Sequence, residues 1–272
     1  MELKDKLFGI PKVYYFNKDS DNVKDEHMDR CLSNLDIDYE RVSTSKYTQE
    51  NVSEWKDLLV NRTNYKLAVG IAGYSISVLE FLKNWLETTD DNLLVIMRDS
   101  IDFDLCSTTL QYHWGFDWKY MMSRLPYDWD CFQFGFENVH YIPFYLHQIM
   151  PASTFGPSLL NRRYVKKLVR LHCKEDKYDL TGKIANLNFG LKSGTIDYFI
   201  GHNGKTYCIP LFPNDPRFFP RESLKFKIVR ACKIAYHDWW SNDAKNYSLD
   251  EIFTYGKGND IAMVRKTMNY YA

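Results

Sequence analysis

The chain has 272 residues, of which 35 are basic and 35 are acidic, and 45% of its residues are hydrophobic. A charged fraction of 26% beside that hydrophobic content is typical of globular proteins and excludes disordered, collagen-like and coiled-coil chains. Because the formal net charge is zero, no global field would attract the protein to nucleic acid or to an anionic membrane. We therefore expect no nucleic-acid partner.

The sequence predicts neither a transmembrane segment nor a secretory signal. The apolar run over residues 67–82 is interrupted by Gly and Ser and contains a charge, so it falls short of a membrane span. The amino terminus has no apolar stretch as long as a signal peptide needs. Six cysteines lie far apart without a CxxC pair, which favours free thiols over a zinc ribbon or a disulfide scaffold. We expect a cytoplasmic protein.

Hydrophobic periodicity predicts strands that alternate with helices. The first elements are a strand at 12–17, an amphipathic helix at 23–34 and an alternating strand at 37–42. The later ones are a helix capped by Thr48, a helix over 70–86, a buried strand at 93–97, a helix at 118–125, a strand at 130–136 and a long helix over 158–172. This alternation implies βαβ units and a mostly parallel sheet flanked by helices.

The character of the sequence changes near Pro210, where proline-punctuated loops lead into a tryptophan-rich tail. We interpret residues 1–215 as one α/β domain and residues 216–272 as a small aromatic-rich appendage packed on it. Trp239, Trp240 and the segment 216–220 suit the stacking of sugar rings. The alternative, which we favour, is that the tryptophans attach the appendage to the core.

An acidic cluster follows the strand at 93–97. Ligands of a parallel sheet bind beyond the carboxyl ends of its strands, and Asp99, Asp102 and Asp104 lie within six positions there. If the chain stays extended, Asp102 and Asp104 point to the same side and can share a hard divalent cation, which would bind a diphosphate. The alternative is a solvated acidic loop or a set of helix caps.

Two glycines open the helix predicted over 70–86. Gly70 and Gly73 permit close approach of the backbone, and the amino terminus of a helix is a good anion site. The spacing is not that of a dinucleotide-binding motif, however. Taken alone, it favours close packing of the helix on the sheet.

In order and spacing these segments resemble glycosyltransferase family 25, which includes lipooligosaccharide and collagen galactosyltransferases. The resemblance covers roughly residues 10–215. The motifs that carry it are VYYFN with Asn17, GIAGYSIS with Gly70, Gly73 and Ser77, LLVIMRDSIDFD, DWDCFQFG, STFGPSLLNRRYVKKLVR, GTIDYFI with Asp197, and CIPLF.

The resemblance implies a GT-A-like, Rossmann-type fold and an inverting transfer of a hexose from a UDP-linked nucleotide sugar to a glycan or protein hydroxyl. The residues implied to bind the donor are Asn17, Asp19, Gly70, Gly73, Ser77 and Arg98. Those implied to hold Mn²⁺ or Mg²⁺ are Asp99, Asp102 and Asp104. Asp197 is the first candidate for the general base and Asp130 the second, and His202 is a weaker one.

Four positions depart from the family pattern. Tyr74 and Val78 replace a Cys and a His, and residues 98–100 read Arg-Asp-Ser where the family has Glu-Asp-Asp. Arg98 therefore places a cation where the family has an anion. Either Asp102 and Asp104 supply the missing carboxylates, or Arg98 itself holds the diphosphate, or the chain is an inactive binding or assembly module that kept the fold.

Overall fold

The computed structural model describes residues 1–60, 69–149, 156–180, 196–255 and 261–270, which form an α/β fold. Its strands are β1 Val13–Asn17, β2 Tyr39–Ser43, β3 Leu93–Arg98, β4 Cys131–Gln133, β5 Tyr141–Pro143, β6 His147–Gln148, β7 Ser158–Asn161, β8 Cys173–Lys174, β9 Lys177–Tyr178, β10 Thr206–Cys208 and β11 Val264–Lys266. Its helices are α1 Leu3–Lys6, α2 Asn22–Asn34, α3 Val52–Trp55, α4 Val69–Thr88, α5 Phe103–Thr108, α6 Trp118–Arg124, α7 Arg162–His172, α8 Ile196–His202, α9 Leu224–Asp238 and α10 Leu249–Phe253.

Within the described ranges, seven strands form a mostly parallel central sheet in the order β2-β1-β3-β7-β4-β10-β6. β1 pairs in parallel with β2 and β3, and β10 pairs in parallel with β4. β7 and β6 run antiparallel to their neighbours. The strands β1, β2 and β3 therefore end side by side at one edge of the sheet, which we call the carboxyl edge. Their last residues are Asn17, Ser43 and Arg98.

The central strands are buried on both faces. Side chains alternate along each strand, so Tyr15 and Val95 pack on one face, in a core that includes residues of α2 and α9. Phe16 and Ile96 pack on the other face with α4, α7 and α8. All five residues of β1 are buried, as the sequence predicted for a central strand.

The long helix predicted over 158–172 is shorter in the structure. Residues 158–161 form β7, which lies between β3 and β4 and pairs with both. The helix begins at Arg162, and the side-chain oxygen of Asn161 accepts a hydrogen bond from the backbone N–H of Tyr164 at 2.8 Å. Leu159 and Leu160 are buried on opposite faces of the sheet, so their apolar character fits a central strand as well as a helix.

The helix near Thr48 also begins later than predicted. It covers Val52–Trp55, and Asn51 occupies the position that precedes its first turn. The hydroxyl of Thr48 donates a hydrogen bond to the side-chain oxygen of Asn51 at 3.1 Å. Thr48 therefore orders the turn before the helix and does not cap the helix itself.

The tryptophans of the C-terminal segment are part of the core on one face of the sheet. Trp239 and Trp240 are 0% and 1% exposed, and the indole N–H of Trp240 donates to the backbone oxygen of Pro210 at 2.9 Å. The ring of Trp239 stacks on Phe144. These tryptophans attach the C-terminal segment to the core and have no surface left for a sugar ring. The boundary at residue 215 remains a prediction.

Two further expectations from the sequence concern membrane-spanning helices and the state of the cysteines. Among the helices described, none is both long enough and apolar enough to cross a bilayer. All six cysteines fall within the described ranges and are free, and Cys173 is the one that is not fully buried.

Candidate functional site

Asn17, the last residue of β1, is the centre of a hydrogen-bond network at the carboxyl edge. Its side chain is buried, and its Nδ2 donates to the Oδ2 of Asp99 at 3.1 Å and to the backbone oxygen of Asp21 at 3.2 Å. Its Oδ1 accepts from the Nε of Arg41 at 3.2 Å. The structure thus brings together Asn17 and Asp99, two of the residues that the sequence predicted at this edge.

Asp99 lies between an amide and a cation. The Nζ of Lys24 is 3.8 Å from the Oδ2 of Asp99 and 2.7 Å from the Oδ2 of Asp21, the residue that precedes α2. Burial raises the pKa of Asp99, and the charge of Lys24 and the hydrogen bond from Asn17 partly offset that rise. Asp99 is therefore a half-buried carboxylate, and the charges that offset its burial are those of Lys24 and Arg98.

Asp19 forms the solvent-facing rim of the network. The guanidinium of Arg41 donates to the Oδ1 of Asp19 at 2.6 Å, and its Nε is 3.1 Å from the Oδ1 of Asp25. Hydrogen bonds from Ser43 and Arg41 lower the pKa of Asp19. Asp19 thus neutralises Arg41 and stays exposed to solvent.

Arg98 forms a second group of polar side chains with Tyr74 and Asp197. Its Nη2 is 2.5 Å from the Oδ2 of Asp197 in α8, and its guanidinium lies over the ring of Tyr74 in α4, 5.1 Å from the centroid. Burial disfavours the charge of Arg98, but the Asp197 carboxylate outweighs burial and raises the pKa of Arg98. Burial also raises the pKa of Tyr74, so its phenol keeps its proton at neutral pH.

Three buried polar atoms in this group have no hydrogen-bond partner among the described residues. They are the hydroxyl of Tyr74, the Nε of Arg98 and the Oδ1 of Asp197. A buried polar atom without a partner costs about 1–3 kcal/mol, and native structures contain few of them. Two donors and one acceptor, gathered around one ion pair, can be satisfied by a polar ligand or by ordered water.

The three residues of this group differ in how clearly the sequence marks them as site residues. Asp197 was the first candidate for the base and Arg98 a candidate for holding a diphosphate. Tyr74 was noted as a departure from a family motif and received no role. Its position on one face of a helix that begins with glycines carries no signal for a polar site, because an aromatic residue there fits the core equally well.

Asp102 does not join the site. It is 1% exposed, its Oδ1 accepts from the backbone N–H of Leu105 at 2.9 Å as the cap of α5, and its other oxygen forms an ion pair with Lys233 of α9. The extended path that the sequence suggested ends here, because helix α5 begins at the next residue. The helix-cap alternative is therefore the one that the structure shows.

Asp104 lies on the surface of α5, where two arginines bind it. The Oδ2 of Asp104 is 2.8 Å from Arg217, and the Oδ1 is 3.4 Å from Arg30. Partial burial works against its charge, but the hydrogen bond from Arg217 and the charge of Arg30 lower the pKa of Asp104. Its partners are thus cations and not the other acids.

The three acids predicted to share a divalent cation therefore do not come together. In the part of the chain that the structure describes, no group of three or more His, Cys, Asp or Glu side chains converges on a point that suits a metal ion. Asp99 alone remains at the carboxyl edge, between Lys24 and Asn17. These residues do not fit Mn²⁺ or Mg²⁺.

Gly73 and Ser77 serve the packing of α4. A Cβ atom at Gly73 would lie 2.0 Å from the backbone oxygen of Tyr47, so only a glycine allows the helix to approach this loop. The hydroxyl of Ser77 donates to the backbone oxygen of Gly73 at 3.0 Å and is buried. A Cβ at Gly70 would meet no described atom within 4 Å. Gly73 thus serves close packing of α4, but its partner is the loop at Tyr47 and not a strand of the sheet as predicted, and Ser77 hydrogen-bonds within its own helix.

Asp130 and His202 lie away from Arg98. Asp130 precedes β4, and its backbone oxygen accepts from Asn161, at the edge of the sheet opposite the carboxyl edge. Its Oδ2 accepts from the backbone N–H of Lys205 at 3.1 Å, and Arg163 pairs with its Oδ1 at 2.9 Å. Asp130 is thus a strand-end residue bonded to backbone, and the structure does not bring it to the site.

Asp130 and His202 both line a basic groove of about 940 Å³. The cations that line this groove are Arg162, Arg163, Lys166, Lys167, Arg170 and Lys205. Of the candidates for a general base, Asp197 is the one that lies at the carboxyl edge.

Comparisons with known proteins add little to this geometry. No protein-family profile matches the chain, and no curated protein matches it. Among solved structures, the chain is similar to one described as the crystal structure of A197 from STIV, with 13% identity, coverage of 75% of this chain and 84% of that one, and a TM-score of 0.31. The resemblance to glycosyltransferase family 25 stays a prediction.

Proposed function

We propose that the carboxyl edge binds the diphosphate of a UDP-linked sugar and that the protein is an inverting hexosyltransferase with a glycan or another hydroxyl compound as acceptor. One observation carries the proposal. The group of Tyr74, Arg98 and Asp197 holds three buried polar atoms without partners, next to the network of Asn17 and Asp99. The resemblance of residues 10–215 to glycosyltransferase family 25 supplies the substrate class.

The position of these groups supports a fold of the GT-A type. In open α/β sheets a ligand enters the crevice beyond the carboxyl ends of parallel strands, and β1, β2 and β3 end side by side here. Asn17 and Arg98 are the last residues of two adjacent strands. A nucleotide bound at this edge would lie against both.

Arg98 supplies the positive charge that the diphosphate needs. A guanidinium presents planar, paired donors that match phosphate oxygens, and the Nε of Arg98 has no partner among the described residues. The hydroxyl of Tyr74 adds a second donor. As the bond to UDP breaks, these donors stabilise the charge that grows on the leaving phosphate. Since the acids at this edge do not fit a metal ion, no step of the proposal uses one.

Asp197 is the proposed general base. Its Oδ2 pairs with Arg98, and its Oδ1 has no partner in the described part of the chain. The acceptor hydroxyl gives its proton to Oδ1 while its oxygen attacks the anomeric carbon, and the bond from that carbon to the UDP oxygen breaks. The attack on the face opposite UDP inverts the configuration.

A binding or assembly module without turnover is the second candidate function. The observation that favours it is the ion pair itself, because Arg98 occupies one oxygen of the only candidate base that lies at this edge among the described residues. Such a module would bind the nucleotide sugar and release no UDP.

The two functions are separated by UDP release from a panel of UDP-sugars, measured with and without Mn²⁺. We expect release without Mn²⁺ and a fall of at least about a hundredfold in Asp197→Asn, with donor binding retained. Asp130→Asn is the matched control, since the same change at the opposite edge should leave release unchanged. Binding without release in the wild type would support the module, and equal release in Asp197→Asn would remove Asp197 from the mechanism.

A further inference from the structure

A second cleft, lined by none of the residues of the carboxyl-edge groups, lies between α5, α9 and the loop that contains Pro216. Its volume is about 650 Å³, which is within the range of small-molecule sites. Leu105, Phe219, Phe226 and Ile234 give it apolar walls. The sequence had singled out segment 216–220 as a possible stacking surface, and Pro216 and Phe219 from that segment line this cleft.

The cleft is built on one stripe of α9. Phe226, Arg230, Ile234 and His237 recur at helical spacing and line the cleft, whereas Val229, Cys232 and Tyr236 on the other side are buried in the core. Apolar and basic side chains thus alternate along the stripe. A ligand that complements this face of α9 therefore needs an apolar body and a negative charge.

The charges on the cleft wall are not balanced. Lys233 pairs with Asp102, and Arg217 pairs with Asp215 at 2.5 Å and with Asp104 at 2.8 Å. Two further cations, Arg221 and Arg230, have no acidic partner among the described residues. Asp102 and Asp104, which sequence spacing suggested as metal ligands, thus neutralise two cations of this cleft, and no described acid neutralises Arg221 or Arg230.

We propose that this cleft binds a small amphipathic anion, an alkyl chain that carries a phosphate group. Arg221 and Arg230 would bind the phosphate, since guanidinium groups match phosphate oxygens. Phe226 and Ile234 would cover the chain. Free guanidinium groups beside apolar walls inside a concave site favour an amphiphile over inorganic phosphate, which would leave the walls unused. The inference does not depend on the proposed function.

Calorimetric titration of the full chain with octyl phosphate and decyl phosphate, both as monomers, tests the proposal. We expect saturable 1:1 binding that is about tenfold tighter for the decyl compound, because it buries two more methylenes. Inorganic phosphate should bind at least about tenfold more weakly than octyl phosphate. The double variant Arg221→Gln/Arg230→Gln should weaken both alkyl phosphates by at least about tenfold.

The matched control is Lys166→Gln/Lys167→Gln, which removes the same charge from α7, a helix that does not line this cleft, and should leave binding unchanged. Vesicles that contain phosphatidic acid test a lipid as the source of the phosphate. Binding of an alkyl phosphate or of the vesicles supports the proposal if it is lost in Arg221→Gln/Arg230→Gln. The unfolding midpoint of this variant shows that it is folded. Equal weakening in the control, no dependence on chain length, or no saturable binding of the alkyl phosphates and the vesicles would overturn it.

Discussion

Asp102 and Asp104 stand two positions apart, yet they have different environments. Asp102 is buried as the cap of α5 and the partner of Lys233, whereas Asp104 is 44% exposed and binds surface arginines. Spacing in the sequence could not distinguish these two environments, because the same residues fit an extended metal-binding loop and the start of a helix. The local backbone conformation distinguishes them. Asp102 is a favourable N-cap, so a helix begins at Phe103 and the chain does not stay extended.

We predict that Asp102→Ala lowers the free energy of unfolding by about 3 kcal/mol. The change removes a helix cap and leaves Lys233 beside a buried site without its partner. Asp104→Ala, the matched control, should cost less than about 1 kcal/mol, because surface ion pairs contribute little. Urea unfolding measures both. A metal role would instead appear as stabilisation of the wild type by Mn²⁺ that is lost in both variants.

His147 makes stability depend on pH. It is buried in β6, its Nδ1 donates to the backbone oxygen of Tyr145 at 2.7 Å, and its Nε2 has no partner in the described ranges. Burial lowers the pKa of His147 to about 4 from the usual 6.5. The unfolded chain therefore takes up this proton at a higher pH than the folded chain does, and the contribution to stability is lost as pH falls from 6.5 to 4.

We predict that His147 accounts for a loss of about 2 kcal/mol in unfolding free energy between pH 7 and pH 4.5. The measurement compares the wild type with His147→Gln by urea unfolding at both pH values, so that the titration of carboxylates common to both cancels. The variant should lose less stability on acidification. Identical pH dependence in the two proteins would show that His147 titrates normally in the fold.

Helices with a clear period and strands that form short apolar runs between polar segments were predictable from the sequence, and β7 was not. The helices α2 and α4 and the strands β1 and β3 appear within a few residues of their predicted positions. β7 is short and lies in the middle of the sheet, so both of its leucines are buried and no alternation remains to be read. The antiparallel direction of β7 was not foreseen either, because pairing with β3 and β4 is a long-range property.

The two glycines of α4 allow a paired test at this scale. Gly73→Ala should destabilise the protein by about 1–3 kcal/mol, because its Cβ would overlap the backbone oxygen of Tyr47 and the helix would have to move. Gly70→Ala should be neutral or stabilising by up to about 1 kcal/mol, since its Cβ meets no described atom within 4 Å and alanine favours helix. Thermal unfolding compares the two, and an equal loss at both positions would contradict the packing account of Gly73.

The candidate site belongs to the whole molecule, because it joins residues that are far apart in the chain. Asp197 reaches Arg98 across 99 positions, and Asn17 reaches Asp99 across 82. The resemblance implied one site for Asn17 and Asp99, and in the structure the ends of the parallel strands β1 and β3 lie side by side. The sequence could not predict that α8 brings Asp197 to that edge, because this depends on how α8 packs on the sheet. Asp130 lies at the other edge because it precedes β4, which runs in the same direction as β3.

Net charge is likewise a poor guide to local fields in this fold. The chain carries no formal net charge, yet six cations and two carboxylates line the groove at the edge opposite the candidate site. Arg163 in that groove pairs with Asp130 much as Arg98 pairs with Asp197. The two ion pairs provide a natural comparison, since only one of them is accompanied by buried polar atoms that lack partners among the described residues.

The most direct test is therefore an equilibrium titration of UDP-linked hexoses into the wild type, Arg98→Gln and Arg163→Gln, without divalent metal and with unfolding midpoints recorded to confirm that each variant is folded. We predict that the wild type binds at least one of these donors, that Arg98→Gln weakens this binding by at least about tenfold, and that Arg163→Gln leaves it unchanged. Absence of binding to the wild type, or equal affinities of the wild type and Arg98→Gln, would contradict a diphosphate site at the carboxyl edge.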